Sequence, residues 1–201
     1  MNHLAFGGAS IDGGAYTRIT VLARDTPHGL DTLIAYFSDY GLALFAALML
    51  VAWWRARHRG PDAMARALAL PVVVIAAYLL NDLVKSLFAE QRPCRTLSVF
   101  TVEACPGPGD WSFPSNHAAI AAAAAVALLL CDRQPGRIAV PAALLMAASR
   151  IWIGAHYPHD VVAGLLTGAL IAYGLTPLAG RAAPAVDRIR ATRLRPLVAA
   201  R

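Results

Sequence analysis

His156 and Asp160 lie four positions apart around Pro158. If the chain turns into a helix there, the carboxylate can accept from one imidazole nitrogen, fix the tautomer and leave the other nitrogen free as a nucleophile. Just upstream, Ser149-Arg150 adds a hydroxyl and a planar fork of donors suited to phosphate oxygens. A second cluster, Phe113-Pro114-Ser115-Asn116-His117, reads as a helix start, with Ser115 as N-cap and His117 in the first turn. Free amides and the positive helix end attract anions at such a place. A third holds Asn81, Asp82 and Lys85, the single lysine of the chain, with Arg92 seven positions beyond it and followed by Pro93. Taken singly these are a stabilising His-Asp contact, a helix cap with an interfacial histidine, and a snorkelling lysine with an interfacial arginine. Taken together they supply three cations, two imidazoles and a carboxylate, which is the equipment for phosphoryl transfer.

The elements that must position these residues are apolar. The chain has 201 residues, 58% of them hydrophobic and only 15% charged, with a mean hydropathy of +0.52, too apolar for an ordinary water-soluble domain. About five apolar stretches approach the roughly 20 residues needed to cross a bilayer. They run from about Leu33 to Trp54, Met64 to Phe88, Asn116 to Cys131, Arg137 to Ile153, and Asp160 to Leu178. The expected fold is therefore all-α: a polytopic membrane helix bundle forming a single domain over residues 1–201, with a short N-terminal segment (1–30) and an Arg-rich cytoplasmic tail (181–201). The first 30 residues lack the pattern of a cleavable signal peptide. The longest connection, Ala89 to Phe113, carries prolines, glycines and two cysteines and reads as a loop between the second and third helices. Gly164 and Gly168, with the alanines from Ala118 to Ala125, let helices approach closely.

The formal net charge is +6, and 17 of the 18 cations are arginine. They lie mainly between apolar runs and in the tail, which suits lipid headgroups and membrane topology better than nucleic acid. Five spans put twelve cations on one side and six on the other, and the richer side is expected to be cytoplasmic. The end of span two, the start of span three, the end of span four and the start of span five then all face the extracytoplasmic side. The three clusters converge there.

The spacing Lys85-x6-Arg92-Pro93, Pro114-Ser115-Asn116-His117 and Ser149-Arg150-x5-His156-x3-Asp160 closely resembles the three-part signature of the type 2 phosphatidic acid phosphatase superfamily. The size, the short outer loop and His156-Tyr157-Pro158 look most like its bacterial undecaprenyl-diphosphatase branch. Asn116 departs from the glycine usual in the family, which bears on substrate choice. The resemblance implies a lipid phosphatase of the bacterial plasma membrane in which His156 forms a phosphohistidine, Asp160 orients it, and His117 protonates the leaving group and then helps activate water. It also implies that Lys85, Arg92, Ser115, Ser149 and Arg150 hold the phosphate oxygens.

No metal or other cofactor is expected, because the clamp cations already neutralise developing charge and repel a divalent ion. A metal hydrolase using His117, His156, His159 and Asp160 is the less favoured alternative, and His159, outside the signature, is expected to be an interface histidine. The substrate is expected to be a polyprenyl or glycerolipid phosphate, undecaprenyl diphosphate first and phosphatidic acid or phosphatidylglycerophosphate next. A non-enzymatic lipid-phosphate carrier is a distant third. Cys94 and Cys105 share the outer loop, where an oxidising compartment allows a disulfide.

Overall fold

The computed structural model describes residues 8–200, and they are helical with no strand among them. In chain order the helices are α1 (Ala9–Arg24), α2 (His28–Tyr40), α3 (Leu42–Ala56), α4 (Pro61–Phe88), α5 (Pro93–Thr96), α6 (Asn116–Cys131), α7 (Arg133–Trp152), α8 (Pro158–Ala179), α9 (Ala183–Arg190) and α10 (Arg195–Val198). Local chemistry sets many of the ends. Pro61 and Pro158 occupy first turns, where the missing N–H removes nothing, and Asp132 caps α7 by accepting from Gln134 N at 3.2 Å.

Helix α6 is the centre of the bundle, packed against α7, α8, α4 and α3. Alanine is what allows this: Ala118, Ala119 and every residue from Ala121 to Ala125 are buried, so neighbouring backbones close in on α6 from several sides. The tightest crossing is with α8, where a Cβ on Gly164 would run into Ser115 O and one on Gly168 into Ala119 O. The small-residue pair in α8 thus serves packing within the chain. Large apolar side chains point outward, among them Leu79, Leu83, Leu144, Leu145, Leu166 and Leu170, as expected of a bundle whose outer surface meets lipid.

Two helical stretches, Pro61–Thr96 and Pro158–Arg190, are long and apolar enough to cross a membrane. The first expected span, Leu33 to Trp54, is not one straight helix: it is α2 and α3, bent by 51° at Gly41. A lone glycine in an apolar run is no sign of such a break, and the turn is held by Gly41 N donating to Phe37 O at 2.8 Å. Helix α6 has sixteen residues, and α7 carries Arg133, Arg137 and Arg150.

The N-terminal segment contains α1. Its glycines disfavour a helix, yet Tyr16 is fully buried and its hydroxyl donates to Gly154 O at 2.9 Å, so tertiary packing overrides local propensity. At the opposite end the tail folds back, with Val186 and Val198 packed on Met64, Ala65 and Ala67. Asp132 there accepts from Arg55 at 2.6 Å and Arg59 at 3.1 Å.

Candidate active site

Helix α4 ends at Phe88, four residues before Arg92, because Ala89 adopts a left-handed conformation (φ 49°) that closes the last turn. A Cβ in that region costs about 1–2 kcal/mol. Lys85 and Arg92 nevertheless meet the same loop, at Trp111 and Asp110, although one helix no longer links them. Lys85 Nζ donates to Trp111 O at 3.0 Å. Arg92 donates to Asp110 O at 3.0 Å, to Asp110 Oδ1 at 2.9 Å and to Ala155 O at 2.8 Å. Both side chains are buried or nearly so.

The Arg150–His156 spacing has an equally local cause. Gly154, at φ 87°, ends α7 in the left-handed region open to glycine. Ala155 N and His156 N then both donate to Arg150 O, at 3.1 and 3.2 Å. The turn wraps around the arginine's own carbonyl and delivers His156 beside Arg92, whose Nη1 is 3.4 Å from His156 Nε2. Arg150 itself reaches α2, donating to Ser38 Oγ at 2.7 Å.

Asp160 sits at the third position of α8, where its Oδ2 accepts from Tyr157 N at 2.8 Å and lies 3.3 Å from His156 Nδ1. Capping the helix and orienting the histidine are one act. The imidazole is 1% exposed. Burial holds it well below its ordinary value of 6.5, with Arg92, Lys85 and Arg150 adding to the effect, so His156 is neutral at physiological pH. With Nδ1–H directed at Asp160, the lone pair is on Nε2, towards the clamp.

Helix α6 starts against this turn: Ser115 N donates to Asp160 O at 3.0 Å. The Ser115 hydroxyl is fully buried and unpartnered, as is Nε of Arg150, two donors left for an incoming oxygen. His117 is half-buried in the first turn, within electrostatic reach of Arg150, Lys85 and Arg92. Asn116 bridges α4 and α6, accepting from Asn81 Nδ2 at 2.7 Å and donating to Asp82 Oδ1 at 3.1 Å.

Seven of the eight expected residues therefore converge: Lys85, Arg92, Ser115, His117, Arg150, His156 and Asp160. Ser149 is next to the site in sequence, but its hydroxyl donates back to Met146 O at 2.7 Å. It borders an apolar cavity of about 380 Å³ lined also by Leu33, Ile34, Phe37, Leu145, Ala148 and Trp152. Three further residues join the site without any signal in the spacing. Ser112 donates to Asp160 Oδ2 and lies 3.5 Å from His156 Nδ1, Asp110 pairs with Arg92, and Glu90 is buried beside Asp160. Cys94 and Cys105 form a disulfide across the loop that leads from Arg92 to Asp110.

Among the described residues the one group of metal-type side chains close together is Glu90, His159 and Asp160, with candidate atoms within 4.8 Å of one another. His159, expected as an interface histidine from its place outside the signature, has carboxylate partners at both ring nitrogens. It is held at Nδ1 by Asp12 Oδ1 at 2.8 Å and at Nε2 by Glu90 at 3.1 Å, positions that a protonated imidazole satisfies.

The relatives include undecaprenyl-diphosphatase BcrC of Bacillus subtilis, 29% identical over 160 residues that make up 80% of each chain. An undecaprenyl-diphosphatase of Sulfolobus acidocaldarius is 30% identical over 72% of this chain and 68% of its own. Decaprenylphosphoryl-5-phosphoribose phosphatase of Mycobacterium tuberculosis is 39% identical over 47% of this chain and 51% of its own. No solved structure is a significant match. The PAP2 superfamily model matches residues 66–183, the stretch that holds all three clusters and both imidazoles, and the chain belongs to that superfamily.

Proposed function

We propose that this lipid phosphatase hydrolyses undecaprenyl diphosphate to undecaprenyl phosphate and inorganic phosphate through a phosphohistidine at His156. The observation that carries the reading is the orientation of one ring: His156 Nδ1 is turned to Asp160, and Nε2 faces Arg92. A terminal phosphate whose oxygens take donors from Arg92, Lys85, Arg150 and Ser115 brings phosphorus to Nε2. The Nε2–P bond forms as the bridging P–O bond breaks, and the electron pair leaves on the lipid phosphate.

The negative charge of the substrate favours the protonated form of His117, which gives its proton to the leaving oxygen. In the second half His117 takes a proton from water, the water oxygen bonds to phosphorus, and the P–N bond breaks to regenerate neutral His156. Asp160 stays ionised and stabilises the positive charge that His156 acquires as a phosphoimidazolium. These steps need only groups already in place.

The same reading makes residues 1–201 one membrane domain crossing the bilayer five times, with the bent α2–α3 pair as the first crossing. The richer set of arginines, at the Asp132 end and in the tail, lies in the cytoplasm, and the site opens to the extracytoplasmic face. Undecaprenyl diphosphate as substrate is supported by the names of the relatives covered over most of their length.

The test is phosphate release from undecaprenyl diphosphate and from phosphatidic acid by the purified protein in detergent with excess EDTA. Preferred turnover of the diphosphate supports the proposal, and preference for phosphatidic acid keeps the chemistry but reassigns the substrate. Release from neither, by folded protein, rejects the enzymatic reading.

A further inference from the structure

Behind the His156–Asp160 pair is a second histidine whose two ring nitrogens both face carboxylates. His159 Nδ1 is 2.8 Å from Asp12 Oδ1, and Nε2 is 3.1 and 3.2 Å from the two Glu90 oxygens and 3.4 Å from Asp160 Oδ1. A neutral imidazole has one N–H, so one of those nitrogens would direct a lone pair at a carboxylate; only the imidazolium donates at both. The ring is stacked on Tyr157 (centroids 5.3 Å apart, planes at 18°) and on Phe113 (5.8 Å, 29°), faces that favour a cation.

The cluster is wired to the site at both ends. Glu90 is 2% exposed, and its carboxylate faces His159, a cation without which a buried carboxylate is costly. The Glu90 carbonyl accepts from Ser112 N at 2.8 Å, and the Ser112 hydroxyl donates to Asp160 Oδ2. Glu90, Ser112, Asp160 and His159 thus close a ring around the carboxylate that orients His156. Asp12 comes from α1, outside the matched residues 66–183. Its Oδ2 accepts from His159 N at 2.7 Å, and its backbone leaves helical geometry (φ −144°, ψ 22°) at that point.

We propose that His159 is a positioning residue: as an imidazolium bridging Asp12, Glu90 and Asp160, it keeps Asp160 ionised and oriented for His156 and makes helix α1 part of the active centre. This rests on the roles of His156 and Asp160 given above. Without the cation, Glu90 and Asp160 are two buried carboxylates facing each other, and one of them takes up a proton at higher pH than before. A protonated Asp160 no longer supports His156.

The test compares kcat and KM for undecaprenyl diphosphate across pH, in detergent with EDTA, for the wild type, His156→Ala, His159→Gln, Glu90→Gln and His159→Gln/Glu90→Gln, with melting temperatures recorded. Expected are a kcat for His159→Gln about tenfold down at neutral pH with KM little changed, and an acidic limb of the kcat profile moved to higher pH. Adding Glu90→Gln removes the competing charge and returns the limb towards its wild-type position. Should His159→Gln not fold, Glu90→Gln alone is expected to move the limb to lower pH. An unmoved limb in the variants, or a displacement that the second substitution does not reverse, overturns the proposal. Activity that EDTA abolishes and a divalent ion restores also overturns it, by making the cluster a metal site. Turnover retained by His156→Ala overturns the underlying reading and the proposal with it, a result distinct from the others.

Discussion

The hydroxyl of Ser112 and Oδ2 of Asp160 are in hydrogen-bond contact, 48 residues apart in sequence, with both side chains fully buried. The same Oδ2 takes Tyr157 N and faces His156 Nδ1, so the loop residue shares in setting the direction of the imidazole. Ser112→Ala leaves this oxygen one donor short, a loss of about 1–3 kcal/mol. The expected outcome is a roughly tenfold or greater fall in kcat with KM nearly unchanged, read from steady-state phosphate release.

Asp160→Asn tests orientation more severely. One atom of the amide must serve both Tyr157 N and His156 Nδ1, as Oδ2 does now: an oxygen there is an uncharged and weaker acceptor, and an NH2 there opposes Tyr157 N and favours the wrong tautomer of His156. By analogy with hydrolases in which a carboxylate orients a histidine, kcat falls by about 10⁴. A fall of less than about tenfold would mean that Asp160 is only a helix cap.

His156 is held neutral by burial first and by Arg92, Lys85 and Arg150 next. Its folded-state value is depressed, whereas the unfolded chain binds a proton near pH 6.5. The unfolded state therefore holds more protons below that pH, and this group's contribution to stability, full above about 6.5, is lost as the pH falls. Nitrogen-15 histidine spectra in detergent, with His156 assigned by its disappearance in His156→Ala, are expected to keep the neutral Nδ1–H pattern as the pH drops through 6.5. Titration of that signal at 6.5 would contradict the account.

Packing gives a contrast between two glycines of one helix. A Cβ on Gly168 collides with the Ala119 backbone, while one on Gly174 meets nothing within 4 Å. Gly168→Val should destabilise the protein by about 3 kcal/mol or more, and Gly174→Ala should stabilise it by about 0.5–1 kcal/mol. Thermal melts in detergent read both.

Much of the site is legible in the amino-acid sequence. Lys85, Arg92, Ser115, His117, Arg150, His156 and Asp160 stand at spacings set largely by turns local to the chain: the left-handed Ala89, the start of α6 at Ser115, whose hydroxyl makes no capping bond, and the wrap of Ala155 and His156 onto Arg150 O. What is not legible depends on long-range contact. Ser112, Glu90 and Asp12 join the site because the loop, the end of α4 and helix α1 pack together, and no periodicity marks them. Helix α1 is hidden for the same reason, since its glycines speak against a helix and only the burial of Tyr16 rescues it. The bend between α2 and α3 turns on one glycine inside an apolar run that hydropathy reads as continuous.

The disulfide Cys94–Cys105 closes a short loop, with a separation of 11 residues, beside Arg92. Loop-closure entropy for that length corresponds to about 3 kcal/mol. Reduction, or the pair of substitutions Cys94→Ser and Cys105→Ser, is expected to lower the melting temperature and raise KM, since Arg92 loses the constraint on the loop that holds Asp110.

The central claim is that His156 carries the phosphoryl group. The most direct measurement is mass analysis of protein denatured at neutral to alkaline pH, which preserves phosphohistidine, during turnover of undecaprenyl diphosphate in EDTA. The account predicts a phosphoryl adduct on the peptide containing His156, labile to acid and missing from the inactive His156→Ala variant. Sustained turnover by His156→Ala, or an adduct on another residue, would contradict it.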